Sequence, residues 1–159
     1  MFCERIARCK AQGLRFYRHA RRFGLGFARG AWGDSTTDPF VKAFEAMPDM
    51  PEAPTVMDVG ANTGQFCGAM LLWRPQSRVY SVEPLMTNVD LLRKRFGARP
   101  AVSVHRVAIS NHNGTAPLFV TRATDGSSLQ PSRRELIEAF PQYQGDGRES
   151  VPTQTMDGF

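Results

Sequence analysis

Two carboxylates on either side of a glycine-bearing turn are the residues of this sequence best suited to binding chemistry. Asp58 precedes the turn Gly60-Ala61-Asn62-Thr63-Gly64, and Glu83 follows further along the chain. A carboxylate can accept hydrogen bonds from both hydroxyls of a ribose, and glycine lets a ligand approach the main chain closely. Asn62 tolerates left-handed backbone geometry as well. The pattern therefore indicates part of a nucleotide-binding site.

The elements that must position these residues follow the order strand, turn, helix, strand. The short apolar run 55–59 predicts a buried strand, and apolar residues from Phe66 to Trp73 recur at near-helical spacing. A second predicted strand, 78–82, ends at Glu83-Pro84. Ligands of open parallel sheets lie at the carboxyl ends of the strands. The sequence thus predicts an α/β, Rossmann-like, open and mostly parallel sheet with Glu83 close to the Gly60–Gly64 turn.

The turn departs from the dinucleotide fingerprint Gly-x-Gly-x-x-Gly. Asn62 replaces the second glycine, and Gly64 comes one residue too early for the third. A nucleoside without phosphates, such as S-adenosylmethionine, needs no such cradle, and Asp58 suits a ligand that carries an ammonium and a sulfonium. A module that binds NAD or another nucleotide stays open as an alternative, since Glu83 would serve either ribose.

The segments DVGANTGQF, SVEP, VHRVAISNHNGTAPLFV and VPTQTMDGF resemble, in this order, successive blocks of the FkbM-type methyltransferases. The resemblance covers about Pro54 to Phe159. It implies a Rossmann-like, S-adenosylmethionine-dependent methyltransferase that acts on a hydroxyl oxygen. It also implies cofactor-binding roles for Asp58, Gly60, Asn62 and Gly64 around the methionine moiety, for Glu83 at the ribose, and for Val107 and Ala108 near the adenine. Thr63 within the same turn is a further predicted cofactor-binding residue.

The catalytic base is the least defined part of this hypothesis. Methyl transfer is an in-line displacement, so the protein mainly positions donor and acceptor and takes a proton from the acceptor. Asp157 in TMDGF is a candidate base, although an acid before glycine also forms turns. His105 and His112 are formal alternatives. We expect a small-molecule or glycan acceptor; sugar, polyketide-derived, peptide and metabolite hydroxyls all stay open.

The composition predicts a single modest core. The chain has 159 residues with 42% hydrophobic content, and its apolar runs are shorter than the ~20 residues of a membrane span. Cys3, Cys9 and Cys67 form no C-x-x-C pair, which favours free thiols in a reducing, cytoplasmic compartment. The scattered histidines have no metal-ligand spacing, so we expect no metal site.

The positive charge belongs to an amino-terminal arm, residues 1–36, that precedes a predicted domain over 37–159. Residues 1–30 hold eight Lys or Arg against one acid, Glu4, whereas the whole chain has a net charge of +5. Apolar residues at steps of three and four predict a basic amphipathic helix. Its apolar stripe could pack on the domain or a partner subunit, as in a homo-oligomer, or lie on an anionic membrane surface. Nucleic-acid binding has only the basicity in its favour.

The remaining pattern predicts a short helix near 38–46 with Asp38 as its N-cap, and a helix from about Leu85 to Phe96 ended by Gly97. Beyond it we expect a strand over 101–109, a hairpin turn at Asn113-Gly114 and a returning strand over 116–121. A helix over 132–140, capped by Ser132, and a strand over 151–156 complete the predicted elements.

The family resemblance leads us to expect further strands and helices after TMDGF. We therefore expect a carboxyl-terminally truncated methyltransferase whose first strand has an exposed edge, and we do not expect this chain to catalyse methyl transfer alone. The other alternative is a non-catalytic interaction fragment that keeps the turn of its parent fold and acts through the basic arm.

Overall fold

The computed structural model describes residues 39–47 and 49–159. The predicted basic helix over 1–36 and the N-cap role of Asp38 lie outside the described residues. The described chain forms two compact units, one made of 39–55 and 66–78 and the other of 56–65 and 79–159. Among the described residues, no helix is both long and apolar enough to cross a membrane.

The smaller unit contains a cluster of packed aromatic rings. Helix α1, Pro39–Glu45, confirms the predicted short helix, and helix α2, Gln65–Trp73, contributes to this unit from Phe66 onwards. The ring of Phe44 lies 5.2 Å from that of Phe66 at 89° and 5.4 Å from that of Trp73 at 29°. Edge-to-face and offset contacts of this kind contribute stabilising free energy in addition to that from burying the apolar surface of the rings.

The larger unit begins with the predicted parallel sheet. Its strands are β1, Thr55–Val59; β2, Arg78–Val82; and β3, Val102–His105, in the order β1-β2-β3. Strands β2 and β3 run parallel, with Val82 opposite His105. Helix α3, Met86–Phe96, connects them and buries Val89, Leu92 and Phe96. These elements confirm the α/β class, and Gly97 follows the helix end as predicted, although its φ of −60° is right-handed.

A second sheet follows and corrects the predicted hairpin. Strands β4, Ala108–Ile109; β5, Gly114–Thr121; and β6, Gly145–Gln154, lie in the order β4-β6-β5. Strand β6 separates β4 from β5, so Asn113-Gly114 does not join two paired strands. The residues between β4 and β5 instead cross the end of β6, where the Asn113 side-chain oxygen accepts a hydrogen bond from the Thr155 N–H at 2.9 Å.

The pairing also explains why β6 is longer than predicted. Its antiparallel partner β5 pairs with it from Thr153, opposite Gly114, to Gly145, opposite Thr121, with one register shift between Val120 and Thr121. This pairing supplies hydrogen-bond partners for backbone groups of 145–150. The segment 145–150 has a loop-like composition, so its strand conformation depends on a distant partner. The predicted strand 101–109 is likewise divided, because Arg106 and Val107 interrupt it between β3 and β4.

Residues 122–144 leave β5 and return to β6. The base of this excursion is closed by backbone hydrogen bonds from Arg122 to Gln144, 3.3 Å, and from Ala123 to Gln142, 3.0 Å. Helix α4, Arg134–Ala139, confirms the predicted helix but buries none of its residues. The predicted N-cap is wrong, because the helix begins one residue later than a cap at Ser132 requires. Arg133 occupies the N-cap position and makes no side-chain capping hydrogen bond.

Candidate functional site

The backbone of the Gly60–Gly64 turn has the left-handed geometry that its sequence predicts. The φ angles of Gly60, Asn62 and Gly64 are 79°, 47° and 87°. The N–H groups of Gly60 and Ala61 both donate to the Val82 carbonyl, at 2.9 and 3.1 Å. The carboxyl end of β1 is therefore held against the carboxyl end of β2, and the turn backbone is fixed by the strand that leads to Glu83.

Glu83 is the central polar residue of this edge. Its side chain is 5% exposed, and Oε2 accepts a hydrogen bond from the Asn62 N–H at 2.8 Å. Oε1 accepts one from the Leu85 N–H at 2.9 Å and lies 3.5 Å from the Asn88 side-chain nitrogen. Hydrogen bonds to a carboxylate are stronger than neutral ones. The structure thus brings Glu83 to the turn, as the sequence predicts, and joins the turn to the start of α3 through it.

The two glycines that bound the turn have different surroundings. A Cβ added to Gly60 would meet no atom within 4 Å. A Cβ added to Gly64 would come within 2.5 Å of the Phe96 ring and 2.8 Å of the Leu92 side chain. The backbone is therefore open to a ligand at Gly60, whereas at Gly64 it is covered by helix α3. We call these the open end and the packed end of the turn.

Asp58 lies next to the open end. It occupies the fourth position of β1 and is 9% exposed, whereas the following Val59 is half exposed. Successive side chains of a strand point to opposite faces of the sheet, so Asp58 lies on the buried face and Val59 on the exposed face. The role of this carboxylate toward a ligand stays a prediction.

The packed end is held by a contact that the sequence analysis missed. The Arg95 guanidinium of α3 donates to the Thr63 carbonyl. Arg95 and Thr63 lie far apart in the chain, and a basic residue in the last turn of a helix is usually interpreted as solvated. Thr63 therefore contributes its carbonyl to the scaffold, and its predicted role toward a cofactor stays a prediction.

Asn88 is the second residue that the sequence analysis missed. It is 1% exposed and lies in the sequence between the buried N-cap residue Leu85 and the residues Val89 and Leu92 that α3 buries. A polar residue on an apolar helical stripe was the available signal, because buried amides need hydrogen-bond partners. Here the partner is Glu83.

The residues predicted near the adenine are buried, Ala108 at the start of β4 and Val107 just before it. Ala108 packs in an apolar cluster with Leu85, Leu118 and Val151, and Val107 beside it is buried as well. Leu85 connects this cluster to the carboxylate, because its N–H donates to Glu83. The structure accounts for Ala108 by packing alone, and the adenine contact stays a prediction.

Asp157 lies on the short 3-10 turn Met156–Gly158 and is exposed. The turn leads to Phe159, whose ring packs edge-on against His105 with centroids 4.8 Å apart. His105 ends β3, and its carbonyl accepts a hydrogen bond from the Glu83 N–H at 3.0 Å. Asp157 thus lies two residues before Phe159, which contacts the strand end next to Glu83. Its role as a base stays a prediction.

Glu83 and Gly60 fit a ligand that bears a hydroxyl group. A carboxylate offers about four lone-pair positions, and the donors from Asn62, Leu85 and Asn88 occupy three, so Oε2 can accept one further bond. The open end leaves room for that ligand beside the backbone. Among the described residues, no cluster of His, Cys, Asp and Glu could hold a metal ion.

No protein-family model matches this chain. A similar protein of curated function is the 2-O-methyltransferase NoeI of Sinorhizobium fredii (strain NBRC 101917 / NGR234). The two are 27% identical over 113 residues, which cover 67% of this chain and 46% of NoeI. The chain therefore spans less than half the length of the relative that it matches. This distant similarity supports methyl transfer in general.

Proposed function

We propose that this chain is the cofactor-binding part of an S-adenosylmethionine-dependent O-methyltransferase of the FkbM type. The observation that carries the proposal is the buried Glu83 carboxylate, which holds the Asn62 N–H beside the open end of the turn. A ribose hydroxyl would complete its hydrogen bonds, and the similarity to a 2-O-methyltransferase supports methyl transfer as the reaction.

In this proposal the residues of the edge bind and orient the donor. Glu83 accepts a ribose hydroxyl through Oε2, while Gly60 and Asp58 face the methionine moiety. A negatively charged Asp58 favours a cationic ligand at this edge. The cofactor, when bound, supplies an electrophilic methyl group. The absence of a phosphate cradle in the turn favours this ligand over NAD.

The acceptor in this proposal is a hydroxyl of a sugar, glycan or other small molecule. Transfer forms a bond from the acceptor oxygen to the methyl carbon, breaks the sulfonium carbon–sulfur bond and releases the hydroxyl proton to a base. Asp157 is the candidate base, because it is exposed and lies two residues before Phe159, whose ring contacts His105.

Isothermal titration of the full chain with S-adenosylhomocysteine and, separately, with NAD tests the proposal. We expect saturable binding of S-adenosylhomocysteine and much weaker binding of NAD. Binding of NAD alone would support a dinucleotide module instead. If neither ligand binds while the chain unfolds cooperatively on heating, the interaction-fragment alternative gains support.

A further inference from the structure

We propose that Asn88 is a positioning residue that fixes the Glu83 carboxylate for the ribose, an inference that rests on the proposed function. The contacts of Glu83 are unequally divided between its two oxygens. Oε1 faces the Leu85 N–H and the Asn88 amide, whereas Oε2 accepts only the Asn62 N–H among the hydrogen bonds described for it. Asn88 thereby directs one oxygen toward α3 and leaves the other for a ligand.

Asn88 suits this task because it is fixed by the helix that carries it. It lies in the first turn of α3, its backbone N–H donates to the Leu85 carbonyl at 3.1 Å, and its side chain is almost fully buried. The amide contact is the longest of the three, at 3.5 Å. Distances near this limit give weak hydrogen bonds, so its effect lies in orientation more than in bond energy.

The amide is also neutral, so it adds no second negative charge next to the Glu83 carboxylate. It presents an N–H to Glu83, whereas a carboxylate at the same position would present a second negative charge to Oε1. Two carboxylates that share a buried site repel each other, and the pKa of one of them would be raised, so that it takes up a proton as the pH falls. A charge at this position is therefore expected to disturb the orientation of Glu83 and, with it, ligand affinity.

The test compares Asn88→Asp with Thr87→Asp in the full chain. Both add one carboxylate to the first turn of α3, where the helix dipole favours it, but Thr87 is exposed. We expect Asn88→Asp to weaken S-adenosylhomocysteine binding about tenfold at pH 7.5, because a second carboxylate next to Oε1 would displace Glu83 from the orientation that accepts the ribose. Thr87→Asp is expected to change affinity less than about twofold. The affinity of Asn88→Asp should recover toward pH 5, where a shared proton restores a donor to Glu83.

Asn88→Leu, which keeps the side-chain shape without a donor, tests the link to the ribose. We expect it to weaken binding of S-adenosylhomocysteine about fivefold. One of the 2′-deoxy and 3′-deoxy analogues lacks the hydroxyl that Glu83 accepts, and binding of that analogue should be unchanged, because the coupled interaction is already lost. Equal losses for all three ligands would overturn the inference, since they indicate a merely structural amide. If either variant fails to unfold cooperatively, Asn88→Ser, which retains a small donor, takes its place in the same comparison.

The two proposals fail in different ways. If the unmodified chain does not bind S-adenosylhomocysteine, the proposed function is wrong and the role of Asn88 falls with it. If the unmodified chain binds and Asn88→Asp behaves like Thr87→Asp, only the positioning role is wrong.

Discussion

The open and packed ends of the Gly60–Gly64 turn contain the same residue type for different reasons. Both glycines have a positive φ, yet Gly60 borders free space and Gly64 lies under Leu92 and Phe96. The open end is tied to Glu83 through Asn62, and the packed end is tied to Arg95 through Thr63. One turn thus has an open side, where we propose that the ligand lies, and a side packed against α3, and the glycine motif alone does not indicate which glycine lies on which side.

The largest expected effect is on stability, at the packed end. Gly64→Ala combines a positive φ with a Cβ 2.5 Å from the Phe96 ring. We expect it to lower the free energy of unfolding by about 2–4 kcal/mol, from backbone strain and overpacking together. Urea denaturation followed by circular dichroism measures the loss. A loss below about 1 kcal/mol would mean that α3 yields easily and that the two ends are alike.

The second effect is on binding, at Glu83. Glu83→Gln keeps the shape but replaces one acceptor oxygen by an NH2 group that must face the N–H of Asn62 or Leu85. We expect S-adenosylhomocysteine affinity to fall by about 1.5–3 kcal/mol, measured by calorimetric titration, with a smaller loss of stability. Glu149→Gln is the control, because Glu149 is partly exposed and pairs with Arg106. An equal effect of both variants on affinity would count against a site at Glu83.

Gly60→Ala tests the open end and should separate binding from stability. Its Cβ meets no atom within 4 Å, so only the positive φ is penalised, by about 1–2 kcal/mol of stability. The added methyl group lies where the ligand is proposed to approach, so we expect weaker binding of S-adenosylhomocysteine. Gly60→Asn is the comparison for strain, since asparagine adopts this conformation more readily. Unchanged affinity in both variants would place the ligand elsewhere.

Local features of this region could be predicted from the sequence, because they depend on neighbouring residues. The left-handed positions of the turn follow from Gly60, Asn62 and Gly64 themselves, and the position of Glu83 follows from the geometry of a strand, a turn and a second strand. The helix α3 was predicted within one residue at its start. In each case the residues that define the element lie within it.

Contacts between distant segments could not be predicted in the same way. The strand-forming residues of β5 do not specify whether β4 or β6 is their neighbour, so the predicted hairpin at Asn113-Gly114 was wrong. The same limit hid Arg95, whose partner Thr63 precedes it by 32 residues. Side-chain packing also determines the burial of Ala108, since the sequence next to Ala108 does not indicate Leu118 and Val151 as its packing neighbours.

The smallest expected effect concerns Arg95, which distinguishes a scaffold contact from a ligand contact at the packed end. Arg95→Met keeps most of the apolar stem and removes the guanidinium that donates to Thr63, so we expect a loss of about 0.5–1.5 kcal/mol in urea denaturation. Arg93→Met in the same helical turn is the control, because Arg93 is exposed, and should cost almost nothing. If Arg95→Met instead left stability unchanged and weakened S-adenosylhomocysteine binding, the packed end would also face the ligand, and the division of the turn into two functions would be wrong.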